Sequence, residues 1–323
     1  MTVINPVPLE LLGASPAIAL VRDLLRRSDP RAGLLLVAED GIELEPVVRS
    51  IHESDARPLA PCIVVDCGAA CEDPIEDRLF GRASDDASLD REILSSDALL
   101  ASARGGTLFL DNVAELPAGV QSRLARLARD GEATLDGTVQ ALDVRLIATA
   151  RPSIDDDLRR NSFRQDLYRR LAGSRIDWPS LRSRKDDIPA IVAAWLDASR
   201  GEPRPRARVT DAAISLLSAL AWPGNLAELK SVLDAVVSRP HHDPIDIADI
   251  LPALKLEVAP EVFVPNGNLR EARLRFEREY ISAVLRHHHW RMSDAAQTLG
   301  IQRPNLYRKA RQLHIAVTGT TEP

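Results

Sequence analysis

Short apolar runs alternate with amphipathic stretches through the first half of the chain. Residues 34–37 (LLLV), 62–66 (CIVVD), 107–111 (TLFLD) and 144–148 (VRLIA) each read as a buried strand. Residues 174–178 (SRIDW) read as a weaker fifth. Between the first two runs, Val47, Val48 and Ile51 fall at helical spacing. Strands that alternate with helices predict a parallel sheet covered on both faces. Between the third and fourth strands, Asp136-Gly137 suits the tight turn of a small hairpin.

Beyond Pro179 the pattern becomes helical. Ile188, Ile191, Val192 and Trp195 mark one face of a helix over 188–199. Residues 211–221 form a second helix, stopped by Pro223-Gly224, and 226–237 a third. Residues 202–206 (EPRPR) are a proline-broken loop, and 251–268, with three prolines and an Asn-Gly-Asn cluster, read as a linker. A last helical unit covers 269 to about 317.

Length and composition narrow the class. At roughly 150 residues per domain, 323 residues predict two domains. Hydrophobic residues at 45% and charged residues at 27% give a globular balance rather than disorder. No apolar run approaches the roughly 18–20 residues of a membrane span. The start of the chain lacks the pattern of a signal peptide, so a cytoplasmic, reduced protein without membrane contact is expected. The net charge of −6 does not by itself point to nucleic acid. From residue 269 onward, however, the charge inverts: ten Arg or Lys between Arg270 and Arg311 face Glu271, Glu277, Glu279 and Asp294.

The order of the pieces resembles the AAA+ module of the bacterial enhancer-binding proteins, the sigma-54-dependent activators. Residues 105–111 (GGTLFLD) resemble the family's Walker B strand, and 163–171 (FRQDLYRRL) its arginine-finger segment. Residues 179–189 (PSLRSRKDDIP) and 222–229 (WPGNLAEL) resemble its lid signatures. Residues 299–309 (LGIQRPNLYRK) resemble a Fis-type helix-turn-helix. The match is collinear from about 11 to 317. The resemblance implies an α/β fold: an AAA+ P-loop-like five-stranded parallel sheet sandwich with an α-helical lid, followed by an all-α Fis-type helix-turn-helix domain. The expected domains are 1–180 (α/β), 181–251 (lid), 252–268 (linker), 269–317 (DNA-binding) and 318–323 (tail). The family's usual N-terminal sensory domain is expected to be missing, since about ten residues precede the match.

Against that family, the chemistry of the nucleotide site is altered. A phosphate loop needs glycines for close backbone approach and a lysine for the β/γ oxygens. Residues 38–45 (AEDGIELE) keep Gly41, place Ala38 and Glu43 at glycine positions, and put Leu44 where the lysine belongs, next to Glu45. Losing one charge pair at 4 Å is worth about 4 kcal/mol at an effective dielectric near 20, roughly a thousandfold in affinity. The segment reads as a solvated acidic turn kept for strand-to-helix geometry. Asp111 remains of the acidic pair that holds magnesium and orients water, but Asn112 replaces its glutamate. The sensor position aligns with Arg151, and the lid arginine with Ala227. Arg164 and Arg170 match the arginine-finger positions, which serve a neighbouring subunit's nucleotide; here they read as surface or interface salt-bridge residues beside Asp166 and Arg169, the alternative being a trans role that completes the ATP site of an active partner in a mixed ring. The sigma-54-contacting loop is also altered: after 79–81 (LFG), residues 82–91 (RASDDASLDR) lack the Phe-Thr apex.

No catalytic residue and no cofactor is expected, residual ATP or ADP binding aside, and no metal. Cys62, Cys67 and Cys71 lack zinc-site spacing, and Cys67 reads as a buried thiol. Adjacent helical side chains such as His287, His288 and His289 point about 100° apart and cannot converge on one ion. Asp155, Asp156 and Asp157 suit the first turn of a helix.

The C-terminal unit keeps its pattern. Ser293 caps a short helix that Gly300 ends, Ile301 plugs the core, and Pro304 opens the second helix. Leu306, Ala310 and Leu313 then face inward, leaving Arg303, Asn305, Tyr307, Arg308, Lys309 and Arg311 for the groove and its phosphates. Leu269, Ala272, Phe276, Ile281, Val284 and Leu285 form the apolar stripe of the helix that, by resemblance, makes a homodimer. The expected protein is a sequence-specific transcriptional regulator of double-stranded DNA. Its AAA+ module has lost hydrolysis and serves as an oligomerisation or docking platform, with RNA polymerase or another regulator as further partner. The alternatives are an ATP-binding sigma-54-dependent activator and a non-hydrolysing subunit of a mixed AAA+ ring.

Overall fold

The computed structural model describes residues 7–55, 58–69, 71, 73–82, 91–198, 208–239, 243–254, 278, 281, 285, 292, 296 and 303–313. Two compact units emerge, Met1–Lys255 and Leu256–Pro323. In the first, the elements in chain order are α1 (Pro16–Arg27), β1 (Leu34–Val37), α2 (Glu45–Glu53), β2 (Cys62–Asp66), α3 (Ile75–Phe80), β3 (Ile93–Leu94), α4 (Leu99–Ser102) and β4 (Thr107–Asp111). There follow α5 (Ala118–Asp130), β5 (Glu132–Leu135), β6 (Thr138–Ala141), β7 (Arg145–Ala150), α6 (Ile154–Arg159), α7 (Gln165–Leu171) and β8 (Ser174–Asp177). Helices α8 (Ile188–Ala198), α9 (Asp211–Ala219), α10 (Asn225–Val237) and α11 (Ile247–Ile250) complete the unit.

The main sheet has the order β2-β4-β7-β1-β8, and every pairing is parallel. Its strands are the five apolar runs of the sequence. Alternate residues feed opposite faces, as strand geometry requires. Leu34, Leu36, Phe109 and Ile147 pack with Ile18, Val21, Val47 and Val48 of α1 and α2. Leu35, Val37, Leu108, Leu110 and Ala148 pack with Val120 and Leu124 of α5 and Leu167 and Leu171 of α7. The expected hairpin is β5–β6, with Asp136 at φ 48° and Gly137 at φ 76°, the double positive φ that a type I′ turn demands. Strand β3 joins it as a small second sheet. Two residues are too few to show a period, so this strand has no sequence signal.

The helical part of the first unit has its own core of Ile188, Ile191, Trp195, Leu217, Trp222, Leu229 and Leu233. Ala253 belongs to that core too, so residues just past α11 pack rather than trail away. Asp187 ties this part to the chain's beginning: its carboxylate accepts from the Ala14 and Ser15 amides (both 2.8 Å) and from the Ser15 hydroxyl (2.6 Å). Asp155, Asp156 and Asp157 do occupy the first turn of α6, where Asp155 also receives both prongs of Arg175 (2.7 and 3.0 Å). Among the described residues no helix is long and apolar enough to cross a membrane.

In the second unit the described core is Ile281, Leu285, Met292, Ala296, Leu306, Ala310 and Leu313. The last three lie on or just past α12 (Arg303–Gln312). Leu269, Ala272, Phe276, Val284, Ser293, Gly300, Ile301 and the His287–His289 tract lie outside the described residues.

Candidate functional site

Strands β1, β4 and β7 end on one edge of the main sheet, and the altered nucleotide positions gather there. The chain leaves β1 with the Ala38 amide donating to Ala150 O (2.9 Å) and enters α2 at Glu45, with Pro46 in the helix's first turn. Gly41 sits between, at φ 79°. A Cβ there would lie 2.0 Å from Gly224 O, so the turn and the loop before α10 touch backbone to backbone. Gly41 O accepts the Ala227 amide at 2.9 Å. Leu44 caps α2 and is only 4% exposed, packed in the core with Val47, Val48 and Phe109.

Asp40, Glu43 and Glu45 of this turn are exposed, as the sequence suggests, and Glu39 is half-buried. Each has a cation. Glu39 receives both prongs of Arg182 (2.7 and 2.5 Å), Asp40 receives Arg151 Nε (2.7 Å), and Glu43 receives Lys230 Nζ (3.0 Å). Glu45 turns along its own helix to Arg49 (2.6 Å). Two of the cations, Arg182 and Lys230, come from the helical part of the unit. The Arg182 guanidinium holds the Glu39 carboxyl below its usual range, against the opposing effect of partial burial. Burial works against the Lys230 charge, but buried Glu10 (3.2 Å) and Glu43 outweigh it and raise its pKa.

Asn225 completes the joint. It is fully buried at φ 49°, a left-handed conformation that asparagine tolerates. Its Oδ1 accepts from the Leu181 amide (2.9 Å), and its Nδ2 donates to Asp40 O (2.9 Å) and, at 3.4 Å, to Glu39. One side chain thus links the turn after β1, the entry to the helical part, and α10.

At the end of β4 the Asp111 carboxylate accepts from the Thr149 hydroxyl, whose oxygen accepts the Asn112 amide (2.8 Å). Asn112 takes φ 55°. Asp66 pairs in register with Asp111, and the buried Cys67 follows it. Burial, then Asp111 and Asp66, push the Cys67 thiol up to about 12. Among the described residues no group of three or more His, Cys, Asp or Glu is placed to hold a metal.

The structure therefore brings Gly41, Leu44, Asp111, Asn112, Arg151 and Ala227 to one edge, with Glu45 pointing aside. The residues that sequence reasoning missed here are Arg182, Lys230, Asn225 and Thr149. Arg164 and Arg170 lie elsewhere, together in a cleft beside α5 and α7. A cavity of about 580 Å3 occupies the opposite edge of the sheet, where the Asp55–Arg145 ion pair (2.9 Å) ties the turn after α2 to β7.

On α12 the inward and outward faces separate as the spacing predicts. Leu306 and Ala310 are fully buried, Asn305 and Arg308 are exposed, and Lys309 is half-buried. Arg303, Tyr307 and Arg311 are on the same helix, with side chains outside the described set.

Comparison with known proteins agrees with this architecture. Residues 11–177 match the family model of the sigma-54 interaction domain, 182–261 the AAA+ ATPase lid domain, and 273–313 the bacterial regulatory protein, Fis family. The nitrogen assimilation regulatory protein NtrX of Azorhizobium caulinodans is 30% identical over 95% of this chain and 70% of its own. The transcriptional regulatory protein ZraR of Klebsiella oxytoca is 33% identical over 93% and 68%. A crystal structure of NtrX from Brucella abortus in complex with ADP matches with a TM-score of 0.65 at 27% identity, covering 95% of this chain and 70% of that one. The family models thus follow one another along the chain as α/β core, lid and Fis-type domain, and the chain belongs to the sigma-54-dependent transcriptional regulators.

Proposed function

We propose that this regulator binds double-stranded DNA through its Fis-type unit as a homodimer, in the cytoplasm, while its AAA+ module neither hydrolyses ATP nor drives sigma-54 polymerase. The observation that carries the second half is Leu44. Its side chain lies in the core under α2, where the family's phosphate-binding lysine would have to reach out. The surrounding residues fit a magnesium triphosphate poorly. The loop's carboxylates would repel phosphate, and the cations that could meet phosphate, Arg182, Arg151 and Lys230, are already engaged by Glu39, Asp40 and Glu43. Asn112 cannot take a proton from water as a carboxylate would. In this reading core and lid are fastened by the protein's own ion pairs, and the module works as a rigid platform for self-assembly or docking.

Regulators of this kind act with sigma-54 RNA polymerase. Without a nucleotide stroke, this chain would act by occupancy, blocking or recruiting polymerase or another regulator. On α12, Arg303, Asn305 and Tyr307 are assigned to base edges, and Arg308, Lys309 and Arg311 to phosphates. A second reading, nucleotide held without turnover, is favoured by the Brucella abortus NtrX structures, which are described in complex with ADP and with ATP.

Purified full-length protein decides between these. The expected result is no ATP turnover above background, no saturable fluorescent-nucleotide binding, and no ATP-dependent transcript from a sigma-54 promoter with this protein as sole activator. Turnover that disappears in Asp111→Ala would overturn the proposal. Saturable binding without turnover would establish the second reading.

A further inference from the structure

Helices α1 and α2 cover one face of the main sheet and leave an open groove of about 550 Å3 between them, with Arg145 of β7 in its wall. Its apolar part is Leu11, Leu25 and Ile51, each half-buried against the core beneath. Its charged part is Arg22, Arg26 and Arg145, with Asp55 the one carboxylate among the described lining residues. The groove is a cationic exception on an acidic unit, since residues 1–255 hold 31 Lys and Arg against 40 Asp and Glu.

These cations are under-answered. Arg22 Nη2 donates to Gly13 O (2.7 Å) and Arg26 Nε to Arg22 O (3.1 Å). Both therefore bond neutral carbonyls, and neither meets a carboxylate among the described residues. Arg49, Arg151 and Arg182 of the same unit each have one. The Arg145 side chain is only 8% exposed; its Nη1 holds Asp55 at 2.9 Å, while its Nε has no hydrogen-bond partner among the described residues. A guanidinium is a planar fork of five donors that fits a carboxylate two bonds at a time, and a buried donor left unpaired is unfavourable. Arg145 thus has room in its bonding for a second acceptor beside Asp55. Half-buried hydrocarbon next to unanswered cations fits a ligand that carries both complements.

We propose that this groove binds a small free carboxylate with an apolar body, its carboxylate toward Arg22, Arg26 and Arg145 and its hydrocarbon on Leu11, Leu25 and Ile51. The volume lies within the range of small-molecule sites, roughly 300–1,000 Å3. A neutral hydrocarbon would leave the cations unanswered, and a bare inorganic anion would leave the apolar floor in water. The bound molecule would brace α1 and α2 against β7, and so raise the melting temperature by mass action. The site lies away from the turn of residues 38–45, and the proposal does not depend on whether the module hydrolyses ATP.

Isothermal titration calorimetry of the full chain with octanoate at about 50 mM salt tests this, with octanol and octylammonium as uncharged and charge-reversed controls. The expected result is saturable binding of octanoate, binding of octanol at least about tenfold weaker, and none of octylammonium. Hexanoate should bind less tightly than octanoate, because it takes less hydrocarbon out of water. Arg145→Lys keeps a cation for Asp55 but withdraws the fork, and Arg22→Gln/Arg26→Gln removes two cations from the rim; each should weaken octanoate binding by about tenfold or more. Arg27→Gln, whose arginine is exposed and paired with Asp23 outside the groove, should change nothing. Ligand-free melting temperatures near wild type exclude misfolding as the cause. Should Arg145→Lys fail to fold, the Arg22→Gln/Arg26→Gln variant decides alone. A wild type that shows no saturable octanoate binding, octylammonium that binds as well, or an Arg22→Gln/Arg26→Gln variant that binds like wild type would overturn the proposal.

Discussion

Glu39 and Arg182, 143 residues apart in the chain, meet in a two-pronged ion pair at 2.7 and 2.5 Å. With Glu43–Lys230 it joins the α/β core to the helical lid, while Asp40–Arg151 braces the same turn within the core.

Asn225 is the neutral member of that joint, and its loss should be felt most. Asn225→Ala leaves the Leu181 amide and the Asp40 carbonyl without their partner, at about 1–3 kcal/mol for each buried group left unpaired. Asn225→Asp should be worse than its near-identical size suggests, because an acceptor would then face Asp40 O and the Glu39 carboxylate. Urea denaturation of the two variants beside wild type measures both effects.

The Glu39–Arg182 pair also sets a pH dependence. The folded Glu39 carboxyl titrates below its unfolded value, which is about 4.3 for an ordinary glutamate. Its contribution is complete above that value and is lost as the pH falls through the depressed folded one. Wild type should therefore lose more stability than Glu39→Gln between about pH 5 and pH 3. Parallel acid titrations of melting temperature would remove Glu39 from this role.

Leu44 tests the nucleotide argument from the side of packing. Leu44→Ala should cost about 2–5 kcal/mol, as for other buried leucines. Leu44→Lys should destabilise the protein and still give no ATP turnover, since Asn112 and Ala227 remain. A lysine that restores hydrolysis would show the rest of the site to be competent.

DNA recognition separates by residue. Asn305→Ala should cost about 1–3 kcal/mol on a preferred site and relax sequence preference, whereas Lys309→Ala should weaken all sequences alike and shallow the salt dependence. Fluorescence anisotropy on a selected and a scrambled duplex at several salt concentrations reads both.

The three cysteines should differ in reactivity. Exposed Cys71 should label rapidly at neutral pH, half-buried Cys62 more slowly, and Cys67, buried with its thiol raised to about 12, only on unfolding. Mass-resolved alkylation follows all three at once.

What the sequence discloses depends on how local the cause is. Parallel strands buried on both faces appear as continuous apolar runs, so 34–37, 62–66 and 107–111 were readable to the residue. Leu306, Ala310 and Leu313 announce their burial by helical spacing alone. Helix α11 is four residues long and held by an Asp246–Asp249 capping box, too short for any period to show. The identity of residues 38–45 was equally plain, but their environment was not. A solvated turn with four carboxylates does not disclose its ion pairs, because Arg182 and Lys230 lie 143 and 187 residues from Glu39 and Glu43.

Gly41 gives the comparison a further edge. Glycine at this position is required because a Cβ would lie 2.0 Å from Gly224 O and because φ is 79°, demands that the folded chain makes on itself. A survey that infers nucleotide competence by tallying the glycines kept in such loops would score Gly41 as a remnant of phosphate chemistry. Its persistence instead measures how closely two segments of backbone must pass, so substitutions at 41 should be grouped with folding defects rather than with losses of ligand.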